Sequence, residues 1–180
     1  MDKYLGDEDN TARFEAMAMP HLDAAYNLAR WLTRNEHDAD DLVQSAYLRA
    51  FRFAGGFRGE DARAWLLTIV RHTYYTALRD GQAQRGDISY DEELHGEEDD
   101  DGADPAVIAA SRDTGRTVNA ALAQLPPAFR EVLVLKEMDD LSYKQIAQVT
   151  ETPIGTVMSR LARARKLLLS YLKHGEHDGL

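Results

Sequence analysis

The chain has 180 residues, 44% of them hydrophobic, which is enough for one or two domains with packed cores. It contains no cysteine, so disulfides, thiolate metal ligands and cysteine nucleophiles are excluded. No apolar run is long enough to cross a bilayer, and the acidic N-terminus is unlike a signal peptide, so a cytoplasmic protein that is not itself in the membrane is predicted.

The net charge of -10 is concentrated in one stretch. Residues 87–104 contain ten acidic residues and no Lys or Arg, so the rest of the chain is neutral overall. Such a run cannot bury enough apolar surface to offset its ordering entropy, and it predicts a flexible acidic linker over residues 87–112. The linker would join a domain at residues 1–86 to one at residues 113–174. The pattern leaves open whether it only separates them or also screens a basic surface.

The N-terminal domain has helical periodicity almost throughout. Apolar residues recur at helical spacing over residues 11–34, with Pro20 predicted as a boundary or kink. A second helix is predicted to begin at the acidic residues 38–41, whose charges suit the positive end of a helix dipole. Phe53 is expected on the inner side of this helix, and a glycine-containing loop follows it.

A third helix is predicted from about residue 62 to residue 79. Its buried side is expected to include Ala77 and Leu78. The opposite stripe consists of Thr68, Arg71, His72, Tyr75 and Arg79. Rings stack on unpaired bases while Arg neutralises phosphate, so this stripe suits single-stranded or distorted nucleic acid, although Tyr on a helix is more often a core residue.

Residues 141–166 have the pattern of two short helices around a tight turn. Ser142 and Gln145 form a capping box that marks the start of the first helix. Thr152 is predicted to cap a second helix whose first residue is Pro153. The residues predicted to point inward from that helix are Ile154, Val157, Leu161, Ala164 and Leu168.

The outward face of the second helix begins with small polar side chains and continues with long cations. It consists of Thr156, Ser159, Arg160, Arg163 and Lys166, and residues 156–173 contain five cations and no anion. Short residues near the N-terminus let a helix enter a major groove, while long cations behind them reach the flanking phosphates. The pattern predicts a DNA-reading helix-turn-helix, the alternative being an ordinary helical hairpin with a solvated basic face.

With both halves in view, the chain resembles a bacterial RNA polymerase sigma factor of the compact extracytoplasmic-function (ECF) type, which has only sigma regions 2 and 4. The segment DADDLVQSAYLRAFRF resembles the family's polymerase-clamp-binding helix, and FRGEDARAWLLTIVRHTYYTALRD resembles its promoter-melting segment. The segment LPPAFREVLVLKEMDDLSYKQIAQVTETPIGTVMSRLARARKLL resembles region 4, which reads the minus-thirty-five element. The resemblance implies an all-α fold of two small helical domains.

The resemblance also implies a role for each group of residues. Docking on the clamp helices of the largest subunit of core RNA polymerase is implied for Asp41, Gln44, Tyr47, Leu48 and Arg52. Contact with the minus-ten element of promoter DNA is implied for Phe57, Arg58, Arg71, His72, Tyr75 and Arg79. At the minus-thirty-five element, the implied groove contacts are Thr156, Ser159, Arg160 and Arg163, with Arg165 and Lys166 on phosphates.

Two positions depart from the family pattern. His72 stands where Asn is frequent, and Met158 stands where Lys is frequent, which puts one DNA contact in doubt at each position. The family further implies an anti-sigma factor as a partner of the free protein, but no residue of the chain identifies one.

Other classes of function fit the sequence less well. The six histidines are scattered, and neither an HExxH pattern nor a glycine-rich phosphate loop is present, so no catalysis, metal site, cofactor or small-molecule substrate is predicted. A decoy that occupies an anti-sigma factor has no need of the basic outward stripe. A conventional helix-turn-helix regulator has no need of the clamp-like helix.

Overall fold

The computed structural model describes residues 3–59, 61–85 and 105–175. The acidic stretch 87–104, where most of the flexible linker is predicted, lies outside the described residues. The prediction is wrong for residues 105–112, which form the start of a helix. Within them the chain is helical and contains no strand, which confirms the all-α fold. The α-helices are α1 Lys3–Ala18, α2 Leu22–Thr33, α3 Glu36–Phe53, α4 Ala62–Arg85, α5 Pro105–Gln124, α6 Pro127–Glu137, α7 Tyr143–Thr150 and α8 Ile154–Gly175.

Short turns and a capping residue separate the first three helices. A 3₁₀ turn at Met19–His21, with Pro20 in it, divides α1 from α2, as the proline predicts. Helix α3 begins earlier than predicted because its cap is Asn35, whose side chain accepts the Asp38 N–H at 3.0 Å. The acidic residues therefore lie inside the helix, with Asp38 in the first turn.

Helix α4 is longer than predicted and follows a loop that ends at Asp61. The Asp61 Oδ1 atom accepts the N–H of Ala64 at 2.9 Å, which caps the first turn. The predicted burial of Ala77 and Leu78 is wrong, since both are exposed, Leu78 by 40%. They line an open groove between α3 and α4, and none of the helices described in the structure covers them there.

Helix α7 has the predicted capping box. The N–H of Gln145 donates to the Ser142 hydroxyl at 3.1 Å, and the Gln145 side chain accepts the Ser142 N–H at 2.8 Å. The helix ends at Glu151, which adopts the left-handed conformation with φ 53°. Local contacts therefore satisfy some of the backbone groups that the helix leaves unpaired at each end.

Helix α8 begins at Ile154, later than predicted, because the carbonyl of Pro153 accepts its first backbone hydrogen bonds. The predicted capping by Thr152 is therefore wrong, and its hydroxyl pairs with Thr150 at 2.9 Å instead. Three predicted inward residues, Val157, Leu161 and Ala164, are buried, but Ile154 is 46% exposed. Periodicity alone does not show that the first turn of this helix extends past its neighbours.

The two halves of the chain pack against each other. We call residues 3–85 the N-terminal module and residues 105–175 the C-terminal module. Helix α4 contacts α7, and α2 contacts α6. Leu67 and Val70 of α4 belong to the same continuous buried cluster as Ile146 and Val149 of α7. Burying a side chain of this size contributes roughly 1.5–3 kcal/mol, so the shared core stabilises the packing of the two modules.

Candidate nucleic-acid interfaces

The outward face of α8 is open to solvent over most of its length. Ser159, Arg163 and Lys166 are exposed, whereas Thr156 and Arg160 are partly buried. The Ser159 hydroxyl donates to the Thr156 carbonyl at 3.0 Å, which keeps that side chain close to the helix surface. The N-terminal half of α8 therefore presents short polar groups, with long cations one and two turns further on.

Arg165 differs from the other cations of α8 because it already has a carboxylate partner. Its Nη2 atom lies 2.7 Å from the Oε1 of Glu137, and this hydrogen bond raises the pKa of Arg165. Both side chains are about half exposed, so solvent screens the pair and its net contribution to stability is small. A phosphate contact by Arg165 would have to replace this pair.

The polar stripe of α4 contacts the C-terminal module at Arg71, which is partly buried, and at His72, which remains about half exposed. The Nε of Arg71 donates to the Oε1 of Glu131 at 2.5 Å, and the Nε2 of His72 lies 2.8 Å from the Oε1 of Glu151. The Arg71 guanidinium also lies over the Tyr75 ring, 4.7 Å from its centre. Arg79 is exposed further along the helix. Three of the predicted minus-ten residues are thus grouped, and two of them contact acids of the other module.

Glu131 is the buried acid of this contact. Its side chain is only 3% exposed. Burial raises the pKa of Glu131, while the nearby charges of Arg71 and Arg160 act in the opposite direction. One carboxylate on α6 therefore lies close to an arginine of the predicted minus-ten set and to an arginine of the predicted minus-thirty-five set.

The loop between α3 and α4 holds the remaining predicted minus-ten residues. The Phe57 ring packs on Trp65 with ring centres 4.8 Å apart and an angle of 40°, while Arg58 is exposed. A Cβ atom added to Gly59 would lie 3.0 Å from the Phe57 ring, so the backbone approaches that ring more closely than a side chain would allow. The backbone of this loop therefore packs closely against the Phe57–Trp65 pair.

The exposed side of α3 carries most of the predicted polymerase-docking residues. Asp41, Gln44, Leu48 and Arg52 are exposed. Leu48 is 65% exposed, and Phe53, wrongly predicted on the inner side, is 62% exposed because it lies in the last turn. Exposed apolar side chains of this size favour a partner surface.

Tyr47 is placed differently from the other residues of that set. Its hydroxyl donates to the Ala18 carbonyl at 2.9 Å, and its ring packs edge-on against Phe14. Burial, together with the charge of Asp23, raises the pKa of Tyr47 to about 12. Tyr47 therefore fastens α3 to the end of α1, and little of it faces solvent.

Sequence reasoning missed the polar contacts that join the two modules. Asp139 accepts from the Asn27 amide at 3.0 Å, and the Arg63 guanidinium donates to the Asp139 carbonyl at 3.0 Å. Gln145 donates to the second carboxylate oxygen of Asp61 at 2.7 Å. Among these residues, sequence analysis singled out Gln145 alone. Its place in the capping box already explained that residue, so nothing in the sequence indicated a contact with the other module.

The pKa values of the two acids in these contacts move in opposite directions. Burial would raise the pKa of Asp61, but hydrogen bonds from the Ala64 N–H and Gln145, with the charge of Arg63, bring it below its usual value. Burial raises the pKa of Asp139, with the Asn27 hydrogen bond only partly offsetting it. The two shifts have opposite effects on the stability of the contact between the modules as the pH falls. Protonating Asp61 weakens this contact, whereas protonating Asp139 relieves the cost of burying its charge.

Two further kinds of site were sought within residues 3–59, 61–85 and 105–175. No cluster of three or more His, Asp or Glu side chains in these ranges could hold a metal ion. Likewise, none of the helices described there is long and apolar enough to span a membrane.

These features define a helical protein of two modules, the second of which contains a helix-turn-helix with a polar and basic outer face. Sigma-70 region 2 matches residues 17–84, and sigma-70 region 4 matches residues 116–168. The chain belongs to the ECF sigma factors of the sigma-70 family, which are transcription initiation factors and not enzymes.

Individual relatives cover most of the chain. The ECF RNA polymerase sigma factor SigE of Mycolicibacterium smegmatis is 32% identical over 94% of this chain, which spans 65% of that protein's length. The ECF sigma-E factor of Escherichia coli K12 is 32% identical over 73% of this chain and 72% of its own. The sigma factor RpoE of Bartonella quintana, solved in complex with the anti-sigma factor NepR, has a TM-score of 0.70 at 27% identity, covering 89% of this chain and 97% of that one.

Proposed function

We propose that this sigma factor binds core RNA polymerase and directs it to promoters that carry two elements. A domain of residues 1–86 would dock on the clamp helices of the polymerase and read and melt the minus-ten element. A domain of residues 113–174 would read the minus-thirty-five element, and the acidic stretch 87–104 would link the two domains, since residues 105–112 already belong to α5. The observation that carries the proposal is the outer face of α8, which is polar and cationic on a helix whose opposite face is buried.

The dimensions of α8 suit a major groove. From Thr156 to Lys166 the helix rises about 15 Å, at about 1.5 Å per residue, and a major groove is about 12 Å wide. In the proposed docking, Thr156 and Ser159 approach base edges at the leading end. Arg160 and Arg163 supply bidentate donors for guanine, the commonest specific contact of arginine with DNA. Lys166 lies at the flanking phosphates.

At the minus-ten element, the proposal assigns base capture to the loop with Phe57 and Arg58. Extruding a base from the duplex costs a few kcal/mol, which stacking in a protein pocket can offset. The Phe57 ring on Trp65 provides an aromatic wall, and exposed Arg58 provides a donor beside it. Arg71, His72, Tyr75 and Arg79 would then hold the adjoining backbone, since cations and rings alternate along that stripe.

The docking surface for polymerase is proposed on the exposed side of α3. Leu48 and Phe53 supply apolar area, and Asp41, Gln44 and Arg52 supply polar groups around it. Tyr47 would contribute indirectly, by fastening α3 to α1. An anti-sigma factor is proposed as a second kind of partner, because the structural neighbour RpoE is bound to one.

Run-off transcription with purified core polymerase and a promoter library tests the proposal. The wild-type chain is expected to initiate at a defined set of promoters, and Arg160→Ala combined with Arg163→Ala is expected to abolish that selection. Each lost bidentate base contact removes about 1–3 kcal/mol of discrimination. Lys173→Ala removes a cation from the exposed end of the same helix and serves as the matched control.

The possible outcomes separate the proposed function from its rivals. If the wild-type chain starts no transcript, initiation is the wrong function and the decoy becomes the better explanation. Specific DNA binding without any association with core polymerase would instead favour a conventional regulator. Equal loss in the double variant and in Lys173→Ala would contradict the assignment of the α8 face.

A further inference from the structure

One long apolar side chain on the outer side of α8 has no role in the proposed function. Met158 is 52% exposed, in the second turn of the helix, where the family pattern frequently has Lys. A single exposed methionine needs no explanation, because every folded protein leaves some apolar side chains at its surface. The residues one turn before and one turn after Met158 show that it does not stand alone.

Met158 belongs to a row of exposed residues spaced by four along α8. Ile154 precedes it and Ala162 follows it, and all three are exposed. The row continues to Lys166, which is exposed as well. Residues four apart lie nearly above one another on a helix, so the three apolar residues form a strip about two turns long that ends in a cation.

This apolar strip lies closer to the middle of the open side of α8 than periodicity predicted. The neighbouring row, also exposed throughout, consists of Gly155, Ser159 and Arg163. By contrast, Thr156 and Arg160 are partly buried and lie at the edge of the open side. At about 3.6 residues per turn, the two exposed rows run side by side. A groove that receives the open side of α8 therefore meets Met158 directly.

The charges around the apolar strip favour DNA over a protein as its partner. Residues 156–173 contain five cations and no anion. Arg163 and Lys166 flank the strip, and Arg165 on its other side is paired with Glu137. Phosphates line the edges of a major groove, while the 5-methyl group of thymine is an apolar group exposed within it. A short apolar strip bordered by cations matches that arrangement.

We propose that Met158 contacts the 5-methyl group of a thymine in the minus-thirty-five element, and that this contact helps to determine which promoters the protein reads. Ala162 is short enough to leave room for the base pair beside it. The inference rests on the proposed function, because it takes α8 as the helix that enters the major groove. It adds an apolar contact to the hydrogen bonds assigned to Ser159, Arg160 and Arg163.

The chemistry of methionine suits this contact. Its side chain is unbranched, flexible and polarizable, so it adapts to the position of a methyl group. A lysine, frequent at this position in the family, would reach a phosphate and strengthen binding to every sequence alike. Met158 therefore exchanges a contact that is blind to sequence for one that depends on the base.

Replacing thymine by deoxyuridine tests the contact, because uracil lacks only the methyl group and keeps the hydrogen-bonding groups of thymine. The test starts from a promoter duplex that the wild-type holoenzyme selects in run-off transcription. Each thymine of its minus-thirty-five element, on either strand, is replaced in turn, and the duplexes compete for the holoenzyme. At one position the affinity is expected to fall about fourfold, which corresponds to about 0.8 kcal/mol for one buried methyl-sized group.

Two substitutions of Met158 separate the methyl contact from other effects. Met158→Leu keeps an apolar side chain of similar size and is expected to keep the preference for thymine over uracil. Met158→Lys is expected to abolish that preference and to steepen the dependence of log affinity on log salt by about 0.9, the value for one additional phosphate contact. Thymines in the spacer between the two promoter elements are the control on the DNA, since replacing them is expected to change nothing.

Several results would overturn the inference. They are uracil tolerated at every position of the minus-thirty-five element, an element without thymine on either strand, and an unchanged thymine preference in Met158→Lys. If that variant instead loses affinity for core polymerase and keeps the preference, the apolar strip binds a protein. A wild-type holoenzyme that still selects promoters in these cases shows that the inference fails and the proposed function does not. No transcript from the wild type means that both fail.

Discussion

The outer face of α8 and the polar stripe of α4 look alike in the sequence, yet in the structure their arginines differ in exposure. Both are helical stripes in which arginines alternate with polar or aromatic residues. Arg163 on α8 is exposed, whereas Arg71 on α4 is paired with a buried acid of the other module. An outward-facing cation on a helix is therefore not necessarily a solvated one, because another part of the same chain can cover it.

The difference has an energetic consequence for mutational studies of the two faces. Removing an exposed cation changes mainly the affinity for a binding partner and leaves the stability of the free protein nearly unchanged. Removing a cation that neutralises a buried acid also alters the free protein, since the acid is left without compensation. A loss of function at Arg71 would therefore combine two causes, while a loss at Arg163 would report mainly on its proposed contact with DNA.

The largest expected effect contrasts these two arginines in stability. Arg71→Met leaves the Glu131 carboxylate buried without its partner and is expected to lower the free energy of unfolding by about 3 kcal/mol. Arg163→Met is expected to change it by less than about 0.5 kcal/mol, as for an ordinary surface substitution. Urea denaturation of both variants measures the contrast. Equal values would show that Glu131 is not buried against Arg71 in solution.

A second prediction tests the role of the loop between α3 and α4, which contains Phe57 and Gly59. Gly59→Ala would place a methyl group 3.0 Å from the Phe57 ring and is expected to shift that ring against Trp65 by a few tenths of an ångström. Overpacking of this kind costs about 1–3 kcal/mol, and promoter opening, followed by permanganate footprinting, should fall. Gly56→Ala meets no atom within 4 Å and is the matched control. Identical footprints for the two variants would remove Phe57 from the proposed pocket.

The third prediction compares a covered and an exposed residue on α3. Tyr47→Phe loses the hydrogen bond to the Ala18 carbonyl and is expected to cost about 1 kcal/mol of stability, with polymerase binding retained. Leu48→Ala is expected to weaken binding to core polymerase, measured by surface plasmon resonance, with stability nearly unchanged. The reverse pattern would place Tyr47 in the docking surface.

The same tyrosine makes a prediction for alkaline pH. Its pKa is raised from 10.0 to about 12, so the folded state prefers the protonated phenol. The resulting stability is fully present below pH 10 and is lost as the pH rises from there toward about 12. Thermal melts of the wild type and Tyr47→Phe across this range should converge. Parallel curves would mean that another group causes the alkaline loss.

The smallest expected effect separates two neighbouring cations of α8. Lys166→Ala should reduce the slope of log affinity against log salt by about 0.9, the value for one lost phosphate contact. Arg165→Ala should reduce it less, because Arg165 is already paired with Glu137. Fluorescence titrations of a promoter duplex at several salt concentrations measure both slopes. A larger change at Arg165 would show that its pair with Glu137 opens on DNA.

The sequence predicted the helices and their buried faces well where these depend on interactions between residues close together in the chain. The capping box of Ser142 and Gln145, the boundary at Pro20 and the buried stripe of Val157, Leu161 and Ala164 all follow from contacts within a few residues. Errors occurred where a helix extends past its neighbours, as at Ile154, Phe53 and Leu78. There the periodicity continues but the neighbouring helices do not, so apolar residues remain exposed.

The contact between the modules could not be predicted from the sequence. Glu131 and Gln145 each have an adequate local explanation, as a charged residue on a helix and as part of a cap. Their partners lie 60 and 84 residues away in the chain, and no periodicity connects such positions. The DNA and polymerase roles of individual side chains also remain predictions, because they concern surfaces that only a partner can occupy.

The buried cluster that α4 shares with α7 constrains how this protein could be re-engineered. Exchanging the helix-turn-helix for that of another sigma factor, to redirect promoter choice, would also replace Ile146 and Val149 opposite Leu67 and Val70. A chimera would need compensating changes in α4 to preserve the fit. The proposed promoter-reading helix of this chain is therefore not freely interchangeable, since it would have to be exchanged together with the surface against which α7 packs.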